Sequence, residues 1–246
     1  MVWLTLRRPY EMGWNEFSTV LSIIVCSIDP KKQQAIRAEY QRAIGEPHEF
    51  ILIDDARSLC EGYNRGFASS RGEVIVFSHD DIEIHCAQLR ARIYGALEKM
   101  DLVGIAGTSR LASARWHAAG QPYLHGRIMH SLNGRRQIDY YGPPSDKIVA
   151  LDGVFLAARK TVCAAIRFDE ITFDGFHLYD LDFSHRAFLS GFKVGICDIE
   201  VTHYSDGSFD DQEWQRYAKR FLAKHGSSIR PNLFRSGGPQ WTVTPI

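Results

Sequence analysis

No two cysteines in this chain have CxxC spacing. The five of them, Cys26, Cys60, Cys86, Cys163 and Cys197, are odd in number. That pattern suggests neither a disulfide framework nor a zinc knuckle. Cys26 and Cys197 stand in apolar runs, where cysteine behaves as a small hydrophobe, and a reducing cytoplasm is the expected compartment. Charge of one sign is also missing: Lys plus Arg and Asp plus Glu are both 29. That balance argues against a broad nucleic-acid-binding surface, so no nucleic acid is expected as a partner. The longest apolar run, Leu21 to Ile28, contains two serines and is far too short to cross a bilayer. Met1 to Phe17 carries no continuous apolar core of a signal peptide, although the sequence is compatible with peripheral membrane association. There is no HExxH. No glycine follows the first apolar run in Cys26-Ser27-Ile28-Asp29-Pro30, which counts against a P-loop and against the phosphate loop of a sugar nucleotidyltransferase.

What is present is an alternation of strand-like and helix-like segments. Of the 246 residues, 45% are hydrophobic and 24% charged, ordinary for a globular protein with a substantial core. Leu21 to Ser27 is short, apolar and rich in β-branched residues, which predicts a buried strand. Asp29-Pro30 is a helix start, and Ile36, Tyr40, Ala43 and Ile44 form one apolar helix face before Gly45. The pattern recurs with a strand over 49–53, a helix over 58–69, a strand over 74–77, a helical stripe from Leu89 to Met100 and a strand over 102–106. Strands alternating with helices predict a doubly wound, mostly parallel sheet.

Between Arg110 and Lys147 the pattern fades among glycines, prolines and aromatic residues, and this stretch is expected to be a long irregular insertion. Strands are expected at 148–157 and 193–201, and helices from Lys160, from Tyr179 to Ser190, and around Trp214 to Leu222. The tail after Gly226 reads as loosely packed.

Ligands of open parallel sheets bind at the carboxyl ends of the strands. Two acidic pairs fall at such ends, Asp54-Asp55 and Asp80-Asp81. Either pair alone is explained by helix capping, but two on successive strands place several carboxylates along one crevice. A carboxylate can accept hydrogen bonds from a base or a ribose. Beside a diphosphate it is useful only by holding a bridging divalent cation. Asp54 and Asp55 suit the first role, and Asp80-Asp81 the second.

These segments resemble the family 2 glycosyltransferases with the GT-A fold, and more narrowly their prokaryotic branch linked to capsule and surface polysaccharides. Ser22 to Ser27 resembles the opening strand, and Ile53-Asp54-Asp55 the nucleoside-binding segment. Tyr63-Asn64-Arg65-Gly66-Phe67-Ala68 and Gly72 to Phe77 resemble the helix and strand before the metal motif. His79-Asp80-Asp81 stands where the family writes Asp-any-Asp. Leu151-Asp152-Gly153-Val154-Phe155-Leu156 is similar to the acceptor-side strand. Tyr179-Asp180-Leu181-Asp182-Phe183, with Arg186 and Gly191, is similar to the helix bearing the catalytic acid pair, and Val201-Thr202-His203 to the last strand with its histidine. The likeness runs over about residues 20 to 225. It departs at His79, in place of the first metal-motif Asp, and at Tyr179, in place of the Glu of the Glu-Asp pair.

The resemblance implies a single GT-A domain over 18–226. Its nucleotide-sugar-binding half would span 18–109 and its acceptor-binding half 110–226, with 1–17 and 227–246 as terminal extensions. It implies a nucleoside-diphosphate sugar donor, a carbohydrate or lipid-linked acceptor, a divalent cation (Mn or Mg) and transfer by direct displacement with inversion. The implied metal ligands are Asp81, His203 and His79. Asp54, Asp55, Asn64 and Asp80 are the implied donor contacts. Asp180 is the first candidate for the base and Asp182 the second, though Asp182 and Arg186 are four apart, which suits an ion pair inside the helix. His177 and His185 are expected as exposed structural histidines. The competing readings are another metal-dependent nucleotide-sugar enzyme and a non-catalytic binding module on the same fold.

Overall fold

The computed structural model describes residues 20–132, 135–205, 212–229 and 242–245. The segment 1–17 and most of the tail after Gly226 lie outside the described residues. The first half follows the expected alternation: β1 Leu21–Cys26, α1 Pro30–Ile44, β2 Glu49–Ile53, α2 Leu59–Ser69, β3 Val74–Ser78, β4 Ile82–Ile84, α3 Leu89–Leu97, β5 Leu102–Gly104 and β6 Ala106–Thr108. The second half holds β7 Leu124–Leu132, β8 Arg135–Gly142, β9 Ala150–Leu151, β10 Phe155–Arg159, α4 Lys160–Ile166 and α5 Tyr179–Leu189. It ends with β11 Val194–Ile196, β12 Val201–His203, α6 Gln212–His225 and β13 Thr242–Pro245.

Local chemistry sets the helix ends that matter for the site. Asp29 caps α1 by accepting from Lys31 N at 2.8 Å, with Pro30 as the first helical residue and Gly45 closing the helix in a left-handed conformation, φ 67°. Proline is tolerated there because its missing N–H would have no intrahelical partner, and glycine has no Cβ to clash at positive φ. Ser58 caps α2 by accepting from Glu61 N at 3.0 Å. Glu61 reaches back to Arg57 N at 3.1 Å, a reciprocal arrangement close to a capping box.

A six-stranded sheet has the order β11-β5-β10-β3-β1-β2. Its β1–β2, β1–β3 and β5–β11 pairs are parallel, while β10 runs antiparallel to both β3 and β5. A sheet that is mostly parallel and flanked by helices is therefore present. Its central strands are buried on both faces, as in Val74 to Ser78, which explains their unbroken apolar runs.

Three expectations are corrected. The stretch between Arg110 and Lys147 is only partly irregular, because β7 and β8 pair as a long antiparallel hairpin from Gly126/Gly142 to Leu132/Arg135. That hairpin anchors a second, seven-stranded sheet, with the path β13-β8-β7-β12-β4 and with β6 and β9 beside it. The single strands expected at 102–106, 148–157 and 193–201 each break in two, and the parts serve different sheets. Part of the tail is ordered too, since β13 pairs with β8. Among the described residues no helix is long and apolar enough to cross a membrane.

Candidate active site

The site forms where the chain passes from one sheet to the other. Strand β3 belongs to the first sheet and β4 to the second, so His79-Asp80-Asp81 occupies the crossover. Strand β12 lies antiparallel to β4 with His203 opposite Ile82, and Tyr204 N donates to Asp81 O at 2.9 Å. This register brings residues 124 positions apart together. His79 Nδ1 lies 3.1 Å from His203 Nε2, His203 Nε2 lies 3.2 Å from Asp81 Oδ1, and His79 Nδ1 lies 4.0 Å from the same oxygen.

The three donor atoms fall within 4.8 Å of one another. Ligands bonded at roughly 2.0–2.2 Å to one ion stand about 3–4 Å apart, so the triangle suits three ligands of a single cation. Two imidazoles and a carboxylate form a borderline donor set compatible with Mn and other first-row divalent ions. The electrostatics agree. Burial would raise the Asp81 carboxyl, but the hydrogen bond and charge of His203, with His79 and Lys32, outweigh it and hold Asp81 well below the usual carboxylate range. Burial first, then the neighbouring His203, push the His79 imidazole down to about 4, which favours the neutral form a metal requires.

Asp80 faces a different set of partners. Its Oδ2 accepts from Ser27 Oγ at 2.6 Å, and its Oδ1 lies 3.4 Å from Lys32 Nζ. The same ammonium lies 3.2 Å from Asp81 Oδ2. Lys32, on the first turn of α1, thus bridges both carboxylates of the motif. Partial burial opposes its charge, but Asp81 and Asp80 together raise its pKa.

The opposite wall carries Asp180. Tyr179 opens α5 after Leu178, which takes the left-handed conformation at φ 62°. The Tyr179 hydroxyl meets His79 Nε2 at 2.7 Å and donates to Gly153 O at 3.2 Å. Gly153 is required at this point because a Cβ there would collide with the Tyr179 hydroxyl and the Asp180 side chain. Asp180 is raised to about 7, by burial first and then by the like charge of Asp152, against the pull of the Leu181, Asp180 and Gly153 backbone amides. Asp152 accepts from Val154 N at 3.0 Å and from Trp116 Nε1 at 3.1 Å. A cavity of about 750 Å³ joins the two walls, with His79, Asp81 and His203 at one side and Asp152, Asp180 and Trp116 at the other.

Some sequence-derived candidates lie elsewhere. Asp54 is exposed and does not line the cavity. Asp55 is bound by Arg65 at 2.6 Å, with 70% of its side chain exposed, and that hydrogen bond is the main reason its pKa is lowered. The turn after β2 still reaches the cavity through Ala56, but the Asp54 and Asp55 side chains stand exposed beside it. Asn64 is buried, and both ends of its amide are consumed by Phe168, donating to O at 2.8 Å and accepting from N at 2.9 Å.

Asp182 is fully buried and held by Arg186 at 2.7 Å, Lys224 at 2.6 Å and His225 at 2.8 Å, away from the cavity lining. Burial opposes its charge, and these partners more than reverse that. His185 is buried rather than exposed, bonded to Val149 O at 3.0 Å and Ser228 Oγ at 2.8 Å, whereas His177 lines the cavity. Lys32 is not singled out by the sequence, and Asp152 stands only within the acceptor-side segment, without a role of its own. Nothing in a helix-borne lysine announces a site, but Asp152-Gly153, a carboxylate and a glycine just after a strand, is a signal that periodicity alone passes over.

A model of the Glycosyltransferase like family matches residues 22–225. The chain belongs to that glycosyltransferase-like family. No curated protein is significantly similar to it. Among solved structures, this glycosyltransferase-like chain is similar to GalNAc-T7 with UDP, GalNAc and Mn2+, with a TM-score of 0.50 and 9% identity. The match covers 82% of this chain and 47% of that one, about half its length. The likeness is one of fold, and it is the GT-A type of α/β architecture. Two others are A197 from STIV (TM-score 0.46, 9% identity, 76% of this chain and 86% of that) and the inositol-1-phosphate CTP transferase from T. maritima (TM-score 0.39, 13% identity, 81% and 77%).

Proposed function

We propose that the chain is a divalent-metal-dependent glycosyltransferase that moves a sugar from a nucleoside-diphosphate donor to an acceptor hydroxyl with inversion. The observation that carries this reading is the pairing of two unlike sites across one cavity: the His79, Asp81 and His203 triangle, and a carboxylate raised to about 7 at Asp180. Family membership and the Mn2+ and UDP of the GalNAc-T7 structure support it. A carboxylate whose pKa lies near working pH is suited to general-base work.

Asp180 takes the proton of the acceptor hydroxyl, and the acceptor oxygen bonds to the anomeric carbon. The bond from that carbon to the diphosphate oxygen breaks, and the nucleoside diphosphate departs with the electron pair. His79, Asp81 and His203 would hold a divalent cation, which would supply positive charge to stabilise this leaving group. Asp152 keeps Asp180 basic by repulsion, and Ser27 and Lys32 fix Asp80. Synthesis of a surface polysaccharide or glycoconjugate is the pathway that fits such a transferase, with a carbohydrate or lipid-linked acceptor.

The test is calorimetric titration of UDP, GDP and dTDP with and without Mn2+, followed by assay of nucleoside-diphosphate release from the matching sugar nucleotides. Metal-dependent binding of one nucleotide and release from its sugar conjugate are expected. Binding of none of them, or binding indifferent to metal, would overturn the reading.

A further inference from the structure

The β7–β8 hairpin puts a row of polar side chains on the cavity wall that the proposed displacement does not use. Strand side chains alternate between faces, so Gln137, Asp139 and Tyr141 share one face of β8. All three line the cavity, as do Ile128 and His130 from β7. The register sets His130 opposite Gln137 and Ile128 opposite Asp139. It also sets His130 beside His203 in the parallel β7–β12 pair, with the two rings 5.9 Å apart. The row therefore begins next to the candidate metal ligands. It continues through Asp139, which accepts from Gln137 Nε2 at 2.9 Å and lies 3.6 Å from His130 Nε2. It reaches Tyr141, whose ring meets Trp116 edge-on at 4.7 Å.

The chemistry of this face selects its ligand. Among the described residues the hairpin's cavity-facing side chains include a carboxylate and no lysine or arginine, which disfavours a phosphate that brings no cation of its own. An anionic acid is disfavoured for the same reason. What remains is a carboxylate, a carboxamide, an imidazole and a phenol in close series, beside the indole rings of Trp116 and Trp214. Each hydroxyl of a sugar ring both donates and accepts, and such a ring offers apolar C–H faces between its hydroxyls. Mixed donors and acceptors beside aromatic surface match both properties.

We propose that the cavity face of the β7–β8 hairpin is a sugar-hydroxyl subsite for a neutral pyranose, with Asp139 as its central hydrogen-bond acceptor and Gln137 and His130 beside it. This assignment rests on the glycosyl-transfer reading. The ring is supplied either by the donor, as the sugar being transferred, or by the acceptor.

The experiment uses the full chain and its Asp139→Ala, Asp139→Asn and Gln137→Ala variants, each shown to unfold cooperatively near the wild-type temperature. Calorimetry with Mn2+ compares UDP with UDP-glucose, UDP-galactose and UDP-N-acetylglucosamine, and GDP with GDP-mannose. Saturation-transfer NMR with Mg2+, both with and without nucleotide, screens methyl glycosides of the same sugars. At least one sugar probe binds the wild type. Its binding falls by about tenfold or more in the Asp139 variants, as expected for loss of a charged hydrogen-bond acceptor, while nucleoside-diphosphate affinity is unchanged.

Loss confined to the affinity gained from the nucleotide's sugar makes the subsite the donor's, and loss confined to the methyl glycosides makes it the acceptor's. If folded variants bind every sugar probe as the wild type does, or if the wild type binds none, the proposal is overturned. Absence of metal-dependent nucleotide binding would instead sink the glycosyl-transfer reading, and the glycoside arm would still decide the subsite.

Discussion

His79 and Tyr179, the two positions at which the sequence departs from the pattern it resembles, are each other's partners: His79 Nε2 and the Tyr179 hydroxyl lie 2.7 Å apart. The hydroxyl has one proton and gives it to Gly153 O, so at His79 it accepts. That places the imidazole proton on Nε2 and leaves the Nδ1 lone pair facing His203 and Asp81. The paired changes thus form a unit in which the tyrosine orients a histidine ligand, as carboxylates and carbonyls commonly do for ligating histidines. Tyr179→Phe is expected to weaken Mn2+ binding by about 10–100-fold, the usual scale for losing such a partner, without unfolding the protein. Mn2+ titration followed by electron paramagnetic resonance measures this, and wild-type affinity in the variant would refute the unit.

Lys32 leads to a prediction with two opposite signs. Its ammonium bridges Asp80 and Asp81 at 3.4 and 3.2 Å, where it neutralises the same carboxylates a cation would use. Lys32→Gln removes that competing charge, so Mn2+ alone is expected to bind more tightly by a few-fold, about 1 kcal/mol for a half-exposed pair. The nucleoside diphosphate loses a nearby cation and is expected to bind the metal-loaded protein less tightly. Calorimetry of metal alone and of nucleotide with metal separates the two effects, and a change of the same sign in both would rule the idea out.

The raised carboxyl of Asp180 fixes a pH dependence. As a base it works only when ionised, so kcat/KM is expected to rise with pH up to about 7 and then level off. The stability effect has the opposite direction. The folded carboxyl holds its proton to a higher pH than the unfolded one, whose pKa is about 3.9. Between these values the unfolded state binds fewer protons, so this group's contribution lowers stability as pH rises through the window. Asp152→Asn removes the like charge and is expected to move the activity limb to lower pH. An unshifted limb would mean that burial alone sets the Asp180 pKa.

The parts of this architecture that were readable from sequence are those carried by local signals. Asp29-Pro30 and Gly45 mark the two ends of α1, and Ser58 with Glu61 marks the start of α2. Strands β1 and β3 announce themselves as apolar runs because both of their faces are covered. The β7–β8 hairpin escaped because Gly126, Gly134 and Gly142 read as loop punctuation. Gly126 in fact takes φ 88° beside a register shift, and Gly142 takes φ 150°, so they shape a bulged strand pair instead of interrupting it. Within the site, Asp81, His203 and Asp180 were legible through motif order. Asp54 and Asp55 stand exposed beside the cavity that Ala56 lines, and which way a strand-end carboxylate turns depends on tertiary contacts such as the Arg65 pair of Asp55. Asp152 reaches the cavity, and Lys32 reaches Asp80 and Asp81, through tertiary contacts that have no periodic signature.

Asp180 and Asp182, two residues apart on α5, are expected to respond differently to the same substitution. Asp180 lines the cavity, whereas Asp182 is fully buried against Arg186, Lys224 and His225. Asp180→Asn keeps the side-chain shape but cannot take a proton. Donor and metal binding should remain near normal while transfer to the acceptor drops by about two orders of magnitude or more, the common scale for general-base loss. Asp182→Asn instead strips the anion from Arg186 in its own helix and from Lys224 and His225, which pin α6 to α5. Breaking a buried pair from one side costs roughly 3–5 kcal/mol, about 6–20 °C in Tm for a chain of this size at roughly 2–4 °C per kcal/mol. Transfer per folded molecule should persist. Thermal unfolding together with single-turnover transfer, both measured below the variants' unfolding temperatures, distinguishes the two. If Asp182→Asn abolishes transfer in a folded protein while Asp180→Asn stays active, the base is Asp182 and not the cavity-facing carboxylate.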